Sequence, residues 1–309
     1  MRNAFLDTLV QQAEKDQNIF LITNDLGFSV LEPFEEKFPD RYLNIGVAEA
    51  NMIGVAAGLA LSGKKVFVYS IVPFITMRCF EQIRNDICSA NLSVVLVGVG
   101  GGLSYGTAGL THHSLNDIAI MRTLSNMTVL CPGDPAETRA ALMSLKAHEG
   151  PVYLRLGKGN DPVVHDSVPD FTVGKAIPIT DGHDITLIAT GNMLYDAKET
   201  TRILNEAGLS CRLLSMPSVK PIDEEAILAA AKETKAIFTI EEHSIIGGLG
   251  GAVAEFLGEH SASKILFRRI GFPDQFCKEI GSQKYLREKN GLSPVAMANY
   301  IAKEYKSKI

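Results

Sequence analysis

The feature that most constrains the fold of this chain is a regular alternation of short apolar, β-rich runs with helical stretches. The predicted strands are almost continuously apolar and span residues 19–23, 65–69, 93–97, 128–132, 152–156, 185–190, 210–216 and 236–240. A strand that is apolar on both faces is typical of a parallel sheet covered by helices on both sides. The sequence therefore predicts the α/β class, with mainly parallel sheets flanked by helices.

A change in amino-acid composition divides the chain into two predicted domains. With 309 residues the chain has the length of about two ordinary domains. Glycine and proline interrupt residues 158–184, where long apolar runs are scarce, and such punctuation is typical of a linker. We expect a first domain over 1–160, a linker over 161–184 that carries a strand or two, and a second domain over 185–309.

Charge and composition exclude several classes of protein. Thirty Lys and Arg against 35 Asp and Glu give a formal net charge of −5, so no basic excess is available for nucleic-acid phosphates. No apolar run approaches the ~20 residues that cross a bilayer, and polar residues interrupt the N-terminus too early for a secretory signal. Reduced thiols in a cytoplasmic chain are expected from five scattered cysteines without a C-x-x-C pair: Cys79, Cys88, Cys131, Cys211 and Cys277.

An acidic residue opens a helix that is apolar on all sides. Glu49 precedes residues 53–61, whose small and apolar side chains predict a buried helix. The carboxylate can simply complement the positive end of the helix dipole. A buried carboxylate also needs a partner, and acids of this kind concentrate at functional sites. The residues alone leave both interpretations open.

Two further sets of polar residues lie where open α/β sheets bind ligands. His112 and His113 occupy a polar loop after a strand, a suitable place for acid–base or oxyanion chemistry. No cysteine or carboxylate stands at zinc-ligand spacing near them, so we expect no metal site. Arg155 and Lys158 end the last strand of the first half, where a ligand would meet them, although solvated surface charge is an equal alternative.

A series of short motifs runs through the chain. In the first half they are FPDR at 38–41, GVAE at 46–49, AAGLA at 56–60, GLTHH at 109–113 and GPVYLR at 150–155. In the second half they are IATG at 188–191, SMPSVKP at 215–221, EEH at 241–243 and GGLG at 247–250. In this order and spacing the series resembles the transketolase family of thiamine-diphosphate enzymes. The resemblance implies a pyrimidine-binding domain followed by a transketolase C-terminal-like domain.

The resemblance implies thiamine diphosphate as the cofactor and gives Glu49 a catalytic role. In the family, a glutamate at this position hydrogen-bonds the pyrimidine N1′ of the cofactor and favours its imino tautomer. The imino nitrogen then removes the proton of the thiazolium carbon, and the resulting ylide attacks a ketone or 2-oxoacid carbonyl.

The resemblance also implies further residues of the site. Phe74 matches the aromatic residue that stacks on the pyrimidine ring, with Phe80 as the alternative. Arg78 matches an active-site arginine of deoxyxylulose-phosphate synthases, and Asp25 matches a position near the cofactor. His112 matches the histidine that faces the reacting carbons and stabilises developing oxyanion charge.

Contacts with a small sugar or sugar-phosphate substrate are expected from four residues: His112, His113, Arg155 and Lys158. Lys158 stands where the family has an arginine that binds the substrate phosphate, which keeps the charge but loses the bidentate fork. Ala108 stands where transketolases carry an acid before their Thr-His pair. These departures favour an unusual or deoxy sugar as the substrate.

One family motif does not occur in this sequence. Magnesium and the cofactor diphosphate are held in the family by a Gly-Asp-Gly and a later asparagine, whereas Asp181-Gly182 here lacks both the first glycine and the spaced asparagine. The resemblance therefore implies a split enzyme, whose partner is an N-terminal diphosphate-binding transketolase subunit that holds Mg²⁺ and the diphosphate. We expect an α2β2 heterotetramer with self-association through the β subunits, and a second domain that serves assembly.

The leading hypothesis is a transketolase-like transferase of carbohydrate metabolism, active only with its partner subunit. It would move a two-carbon ketol unit from a ketose (phosphate) donor to an aldose acceptor. The alternatives are the β subunit of a 2-oxoacid dehydrogenase E1, a deoxyxylulose-phosphate-synthase-like enzyme, and a regulatory subunit that keeps the fold without the chemistry. Retention of Glu49 and His112 together favours an enzyme, because a scaffold needs neither.

Overall fold

Parallel pairing of the apolar strands creates two sheets, one centred in each half of the chain. The computed structural model describes residues 1–260 and 265–308, so residues 261–264 and 309 of the predicted second domain lie outside the described residues. The strands are β1 (Ile19–Thr23), β2 (Tyr42–Asn44), β3 (Lys65–Ile71), β4 (Val94–Val99), β5 (Thr128–Leu130), β6 (Val152–Leu156), β7 (Ile177–Thr180), β8 (Ile185–Ala189), β9 (Cys211–Ser215), β10 (Ser218–Lys220), β11 (Ala236–Ser244) and β12 (Leu266–Phe272).

Helices follow most strands and cover both sheets. They are α1 (Arg2–Ala13), α2 (Glu32–Lys37), α3 (Glu49–Leu61), α4 (Val72–Met77), α5 (Phe80–Gln82), α6 (Asp117–Arg122), α7 (Pro135–Ser144), α8 (Leu194–Glu206), α9 (Glu224–Glu233), α10 (Leu249–His260), α11 (Gln283–Lys289) and α12 (Pro294–Lys308). Within the described ranges, none of these helices has both the length and the apolar character needed to cross a membrane.

The order of strands confirms the predicted α/β class. Seven strands form the first sheet in the order β10-β5-β6-β4-β3-β1-β2, and five form the second in the order β12-β11-β8-β9-β7. Within these two sheets, β10 pairs antiparallel with β5 and β7 pairs antiparallel with β9, while the other pairings are parallel. Both sheets are therefore mainly parallel and flanked by helices, as predicted.

The continuous apolar runs arise because both faces of the first sheet are buried. Along β3, Val66 and Val68 belong to the core cluster that includes Met52 of α3. The alternate residue Phe67 belongs to the cluster on the opposite face, which includes Phe5 of α1. Full burial of such a side chain contributes about 1.5–3 kcal/mol, so both clusters favour a strand with no polar face.

One strand of the first sheet comes from the second half of the chain. β10 lies between β9 and α9 in sequence but pairs with β5, with Ser218 opposite Leu130 and Lys220 opposite Val129. Just before it, the backbone N–H of Cys131 donates to the carbonyl oxygen of Pro217 at 2.7 Å. The two halves of the molecule are therefore joined by a shared sheet as well as by the covalent linker.

A buried cluster of three titratable residues attaches the predicted linker to α7. Asp134 caps α7 by accepting from the backbone N–H of Glu137 (2.7 Å), and its other oxygen accepts from the backbone N–H groups of Val164 (2.8 Å) and His165 (3.0 Å). The His165 ring lies 3.2 Å from Asp134 and 3.5 Å from Glu137.

The charges of this cluster depend on one another. Burial alone would lower the pKa of His165, but the hydrogen bond to Asp134 and the charges of Glu137 and Asp134 together outweigh burial and raise that pKa above its ordinary value. Burial raises the pKa of Glu137 to about 7. Because folding raises both pKa values, these two residues stabilise the folded protein more at weakly acidic than at alkaline pH.

Candidate active site

Five predicted site residues follow the carboxyl ends of strands in the first sheet. Asp25 follows β1, Glu49 follows β2, Phe74 follows β3, His112 follows β4 and Lys158 follows β6. Because these strands are parallel, their carboxyl ends meet at one edge of the sheet. Ligand sites of open α/β sheets form at this edge.

Glu49 is a buried carboxylate held by two side-chain donors. It is the first residue of α3 and only 6% exposed. Its Oε1 accepts hydrogen bonds from Asn24 Nδ2 (3.0 Å) and from Arg78 Nη1 (2.7 Å). These donors and the positive end of α3 compensate the buried negative charge. Among the described residues, no hydrogen bond reaches Oε2, which leaves one acceptor of the carboxylate available.

Arg78 links Glu49 to an aromatic ring. Its guanidinium carbon lies 3.9 Å from the centre of the Phe74 ring, a distance suited to a cation–π contact. The Arg78 side chain is 49% exposed, so a ligand can reach it. Phe74 is half-buried beside this contact, whereas Phe80 packs against the core cluster of the first sheet. The geometry therefore favours Phe74 over Phe80 as the aromatic residue of the site.

His112 also contacts Phe74. The centres of the two rings are 5.1 Å apart in an edge-to-face arrangement, and the His112 Nδ1 lies 2.9 Å from Thr111 Oγ1. Burial lowers the pKa of His112, and the charges of Arg78, His113 and Lys158 lower it further, so the site favours the neutral form of the ring. If the Thr111 hydroxyl donates to Nδ1, the ring carries its proton on Nε2 and can donate a hydrogen bond to a substrate oxygen.

Tyr105 connects His112 to Lys158. The Tyr105 ring centre lies 5.9 Å from that of His112, and the Lys158 ammonium lies 4.6 Å from the Tyr105 ring centre. Lys158 and Arg78 are both exposed cations that flank the histidine. The site therefore combines one buried carboxylate, an aromatic wall, a neutral imidazole and a positive rim.

Asp25 lies beside this cluster without contacting its members directly. Its backbone adopts a left-handed conformation with φ of 60°. The backbone N–H of Asp25 donates to Asn44 Oδ1 (2.9 Å), and Asn44 Nδ2 donates to the Asp25 carboxylate (3.2 Å). The preceding residue, Asn24, is the one that donates to Glu49. Asp25 is thus exposed at the rim, one residue away from the donor to the buried carboxylate.

His113 faces the interior, in contrast to its neighbour. It is buried, and its Nε2 lies 3.4 Å from the carbonyl oxygen of Gly106. Its Nδ1 is buried and has no hydrogen-bond partner among the described residues. The predicted substrate contact of His113 has no support in this geometry, because adjacent residues of the loop direct their side chains to different sides.

Arg155 is a buried structural residue rather than part of the cluster. Its side chain is 3% exposed and donates to both carboxylate oxygens of Asp117, at 2.7 and 3.3 Å. It also donates to the backbone carbonyl oxygens of Ser114 (3.2 Å) and Glu242 (3.0 Å). Burial alone would raise the pKa of Asp117, but the charges of Arg155 and His243 and the hydrogen bonds from Arg155 and Tyr153 together outweigh burial and hold that pKa below its ordinary value. Its Nε and Nη2 groups therefore donate inside the protein, and because the side chain is only 3% exposed, the substrate contact predicted for Arg155 has no support in this geometry.

His243, the most conspicuous polar residue of the second half, is also internal. Its Nδ1 lies 2.7 Å from the carbonyl oxygen of Ser244, and its Nε2 accepts from the backbone N–H of Ala119 at 3.3 Å. Neighbouring Glu241 accepts from the backbone N–H groups of Leu249 (2.7 Å) and Gly250 (2.8 Å), where it compensates the start of α10. These residues join the two halves and do not reach the cluster around Glu49.

Sequence reasoning missed two members of the cluster. Asn24 directly follows β1, and its position at a strand's carboxyl end was the available signal. Tyr105 follows a glycine-rich run in the loop after β4, but only tertiary structure brings it between His112 and Lys158. Over residues 1–260 and 265–308, no group of three or more His, Cys, Asp or Glu side chains is arranged to hold a metal ion.

Two family models together match almost the whole chain. The model described as "Transketolase, pyrimidine binding domain" matches residues 1–163, which contain the cluster around Glu49. The model described as "Transketolase, C-terminal domain" matches residues 174–297.

Similar proteins include transketolase subunits named for sugar substrates. An apulose-4-phosphate transketolase subunit of Phocaeicola vulgatus is 42% identical over 89% of this chain and 88% of its own length. The 6-deoxy-6-sulfo-D-fructose transketolase subunit SqwH of a Clostridium species is 41% identical over 95% of this chain and 90% of its own length.

Solved structures agree in fold. A split-gene transketolase, described as an inactive β4 tetramer, superposes with a TM-score of 0.91 and 37% identity over 100% of this chain and 99% of its own. Transketolase of Campylobacter jejuni superposes with a TM-score of 0.80 over 98% of this chain but only 46% of its own length. At 18% identity this second likeness concerns the fold alone.

Proposed function

The chain belongs to the transketolase family, and from this premise we propose that it is one subunit of a split transketolase. The enzyme would transfer a two-carbon ketol unit from a ketose, or ketose phosphate, to an aldose with thiamine diphosphate as cofactor. The observation that carries the proposal is the cluster of Glu49, Arg78, Phe74 and His112 at one sheet edge. Transferase activity would require the partner subunit.

The residues around Glu49 fit the aminopyrimidine end of thiamine diphosphate. Oε2 of Glu49 is free to accept from a ring N–H, and the buried Oδ1 of Asn24 has no partner among the described residues. Phe74 offers an aromatic ring beside them. When bound, the cofactor supplies a carbon nucleophile and stabilises the electron pair released from the substrate. Glu49 orients the pyrimidine and holds a proton at its ring nitrogen, while His112 donates to the substrate oxygen on which charge develops.

The rim of the site suits a substrate with a negatively charged end. Arg78 and Lys158 are exposed cations near His112; Arg78 is paired with Glu49, whereas no carboxylate is paired to Lys158 in the described structure. Two relatives are named for a sugar phosphate and a sulfo sugar, each of which carries an anionic group. We expect Lys158 to attract such a group as a point charge, without the bidentate geometry of an arginine.

An exposed apolar surface beside the site supports a partner subunit. Val47 and Leu61, at the two ends of α3, are 74% and 73% exposed. Between them, Gly54 and Gly58 of α3 face open space, so another helix could approach this face closely. We propose that an N-terminal, diphosphate-binding subunit covers this surface and brings the Mg²⁺ ligands. An α2β2 heterotetramer with contacts between β subunits would complete the enzyme.

An isosteric substitution that removes the charge tests the role of Glu49. Glu49→Gln keeps the shape of the side chain but removes the carboxylate, so we expect kcat to fall by roughly 10²- to 10⁴-fold in the enzyme reconstituted with its partner. Circular dichroism and the melting temperature should stay close to wild type. Glu36→Gln changes an exposed acid of α2 and is the matched control. Normal turnover by Glu49→Gln would contradict the proposed role.

The choice of donor separates the proposed reaction from its alternatives. The wild-type complex should transfer a two-carbon ketol unit from a ketose phosphate to an aldose, and it should leave pyruvate unconsumed. Consumption of pyruvate with an aldehyde acceptor would instead indicate a deoxyxylulose-phosphate-synthase-like reaction or a 2-oxoacid dehydrogenase. Absence of both activities in the reconstituted complex would favour a regulatory subunit.

Cofactor binding by the isolated chain tests the division of labour between subunits. We expect calorimetry to detect only weak, magnesium-independent binding of thiamine diphosphate to this chain alone. Addition of the partner should tighten the binding and make it depend on magnesium. Tight magnesium-dependent binding by this chain alone would overturn the split-site proposal.

A further inference from the structure

The loop that carries Tyr105 and His112 is held by side chains from the second half of the chain. Ser104 Oγ in this loop donates to the carbonyl oxygen of Gly101 at 2.7 Å. The same oxygen accepts from Asn192 Nδ2 (3.3 Å) and from Gln283 Nε2 (3.2 Å). A hydroxyl offers one donor and two acceptor positions, so Ser104 is fully satisfied by these three contacts.

Gln283 connects this loop to a rigid ionic cluster. Its Nε2 also donates to Glu242 Oε2 at 2.7 Å, so both hydrogens of the amide group are used. Glu242 is buried and receives two hydrogen bonds from Arg287, at 2.7 and 3.0 Å. Arg287 in turn donates to Asp196 of α8 at 2.8 Å. A charge-assisted network of this kind fixes the position of Gln283 at the start of α11.

The backbone of the loop also packs closely against Glu242 and the residue before α11, with no space for a side chain at two of its glycines. Gly102 has φ of 68° and lies against the Glu242 carboxylate, so a side chain at this position would collide with it. Gly281 N–H, just before α11, donates to the carbonyl oxygen of Gly106 at 3.3 Å. A Cβ on Gly106 would lie only 2.5 Å from the carbonyl oxygen of Gly281. On this side the loop therefore packs directly against Glu242 and the start of α11.

We propose that Gln283 is a positioning residue that holds the His112 loop through Ser104, so that the second half of the chain sets the geometry of the active site. The inference rests on the proposed catalytic role of His112. His112 reaches its neighbours Phe74 and Tyr105 only through ring contacts, and its nearest side-chain hydrogen bond is to adjacent Thr111. The position of the ring therefore depends on how the loop is anchored.

Loss of the anchor should reduce turnover rather than substrate binding. A displacement of about 1 Å in a catalytic group can cost about 10²-fold in rate. Gln283→Met keeps the length of the side chain and removes both donated hydrogen bonds. In the reconstituted enzyme we expect kcat to fall roughly 10- to 100-fold with KM changed less than about threefold, because His112 acts mainly on charge that develops in the transition state.

The pKa of His112, measured in the full chain, is a second readout. Burial and the charges of Arg78, His113 and Lys158 hold the pKa of His112 below its ordinary value. A loosened loop would admit water, so Gln283→Met should move that pKa upward, as measured by NMR of histidine Cε1 with assignment from His112→Asn. This measurement needs no catalytic activity, so it separates failure of this inference from failure of the proposed function.

Two more variants keep the test decisive. Ser104→Ala removes the same bridge from the loop side and decides the question if Gln283→Met does not fold. Lys284→Met changes the exposed neighbour of Gln283 in α11 and should leave kcat and the pKa of His112 unchanged. Reduced kcat and a raised His112 pKa in a folded bridge variant support the proposal. Wild-type values of both in either folded bridge variant would overturn it.

Discussion

The buried pair of Arg155 and Asp117 gives the strongest prediction for stability. Asp117 accepts from Arg155 at 2.7 and 3.3 Å and from the Tyr153 hydroxyl at 2.7 Å. Both members of the pair are almost completely buried, at 3% and 0% side-chain exposure. Arg155→Met or Asp117→Asn should each lower the free energy of unfolding by about 3–5 kcal/mol, because the remaining charge stays buried without its counter-charge.

The double variant Asp117→Asn/Arg155→Met should cost much less than the sum of its parts. It removes both charges, and Tyr153 can still donate to the asparagine side chain. What remains lost are the hydrogen bonds from Arg155 to the carbonyl oxygens of Ser114 and Glu242, about 2–3 kcal/mol together. Independent sites would instead give a loss of about 6–10 kcal/mol.

Urea unfolding of the four proteins measures these differences. The chain has no tryptophan, so far-UV circular dichroism and tyrosine fluorescence are the suitable probes. Equal m-values in all four would justify the comparison of free energies. The reasoning is refuted if Arg155→Met unfolds within about 0.5 kcal/mol of wild type. A normal stability combined with a raised KM would restore the substrate contact expected from the sequence.

Two further predictions concern titratable side chains outside the site. The stability difference between wild type and His165→Gln should be larger at pH 5.5 than at pH 9, since a pKa raised by folding stabilises the protein at low pH and the gain disappears as pH rises through that value. Urea midpoints at the two pH values measure this stability difference, and His183→Gln, which changes an exposed histidine, is the control. An equal difference at both pH values would contradict the prediction. Burial raises the pKa of all five cysteine thiols, so Ellman's reagent at pH 8 should label almost none in the native chain and all five in denaturant. Rapid labelling of the native chain would show that the thiols are accessible.

Strands inside a parallel sheet could be predicted from the sequence because burial on both faces requires a continuous apolar run. β1, β3 and β6 follow this rule closely. β10 does not, because its three residues become a strand only by pairing with β5, far away in sequence. β2 and β12 lie at sheet edges, where one side of the strand has no neighbour, and they show a weaker apolar pattern.

The site was predictable to the extent that its residues occupy motifs or strand ends. Glu49 and His112 lie in recognisable motifs, and the structure brings both close to Phe74 and Arg78. Arg155 looks like a surface charge at the end of a strand, since its partner Asp117 lies 38 positions away and only folding joins them. Tyr105 and Asn24 acquire meaning in the same way, through contacts between loops that follow different strands.

The shared sheet also limits how this chain can be shortened. A fragment that stops within the predicted linker, residues 161–184, would lose β10 and leave the hydrogen-bonding groups of β5 uncovered along one border of the first sheet. An uncovered border is a template on which other chains can add strands, and it leads to aggregation. Attempts to produce the first half of the chain alone should therefore supply residues 217–221 in trans, or mutate β5 to discourage pairing.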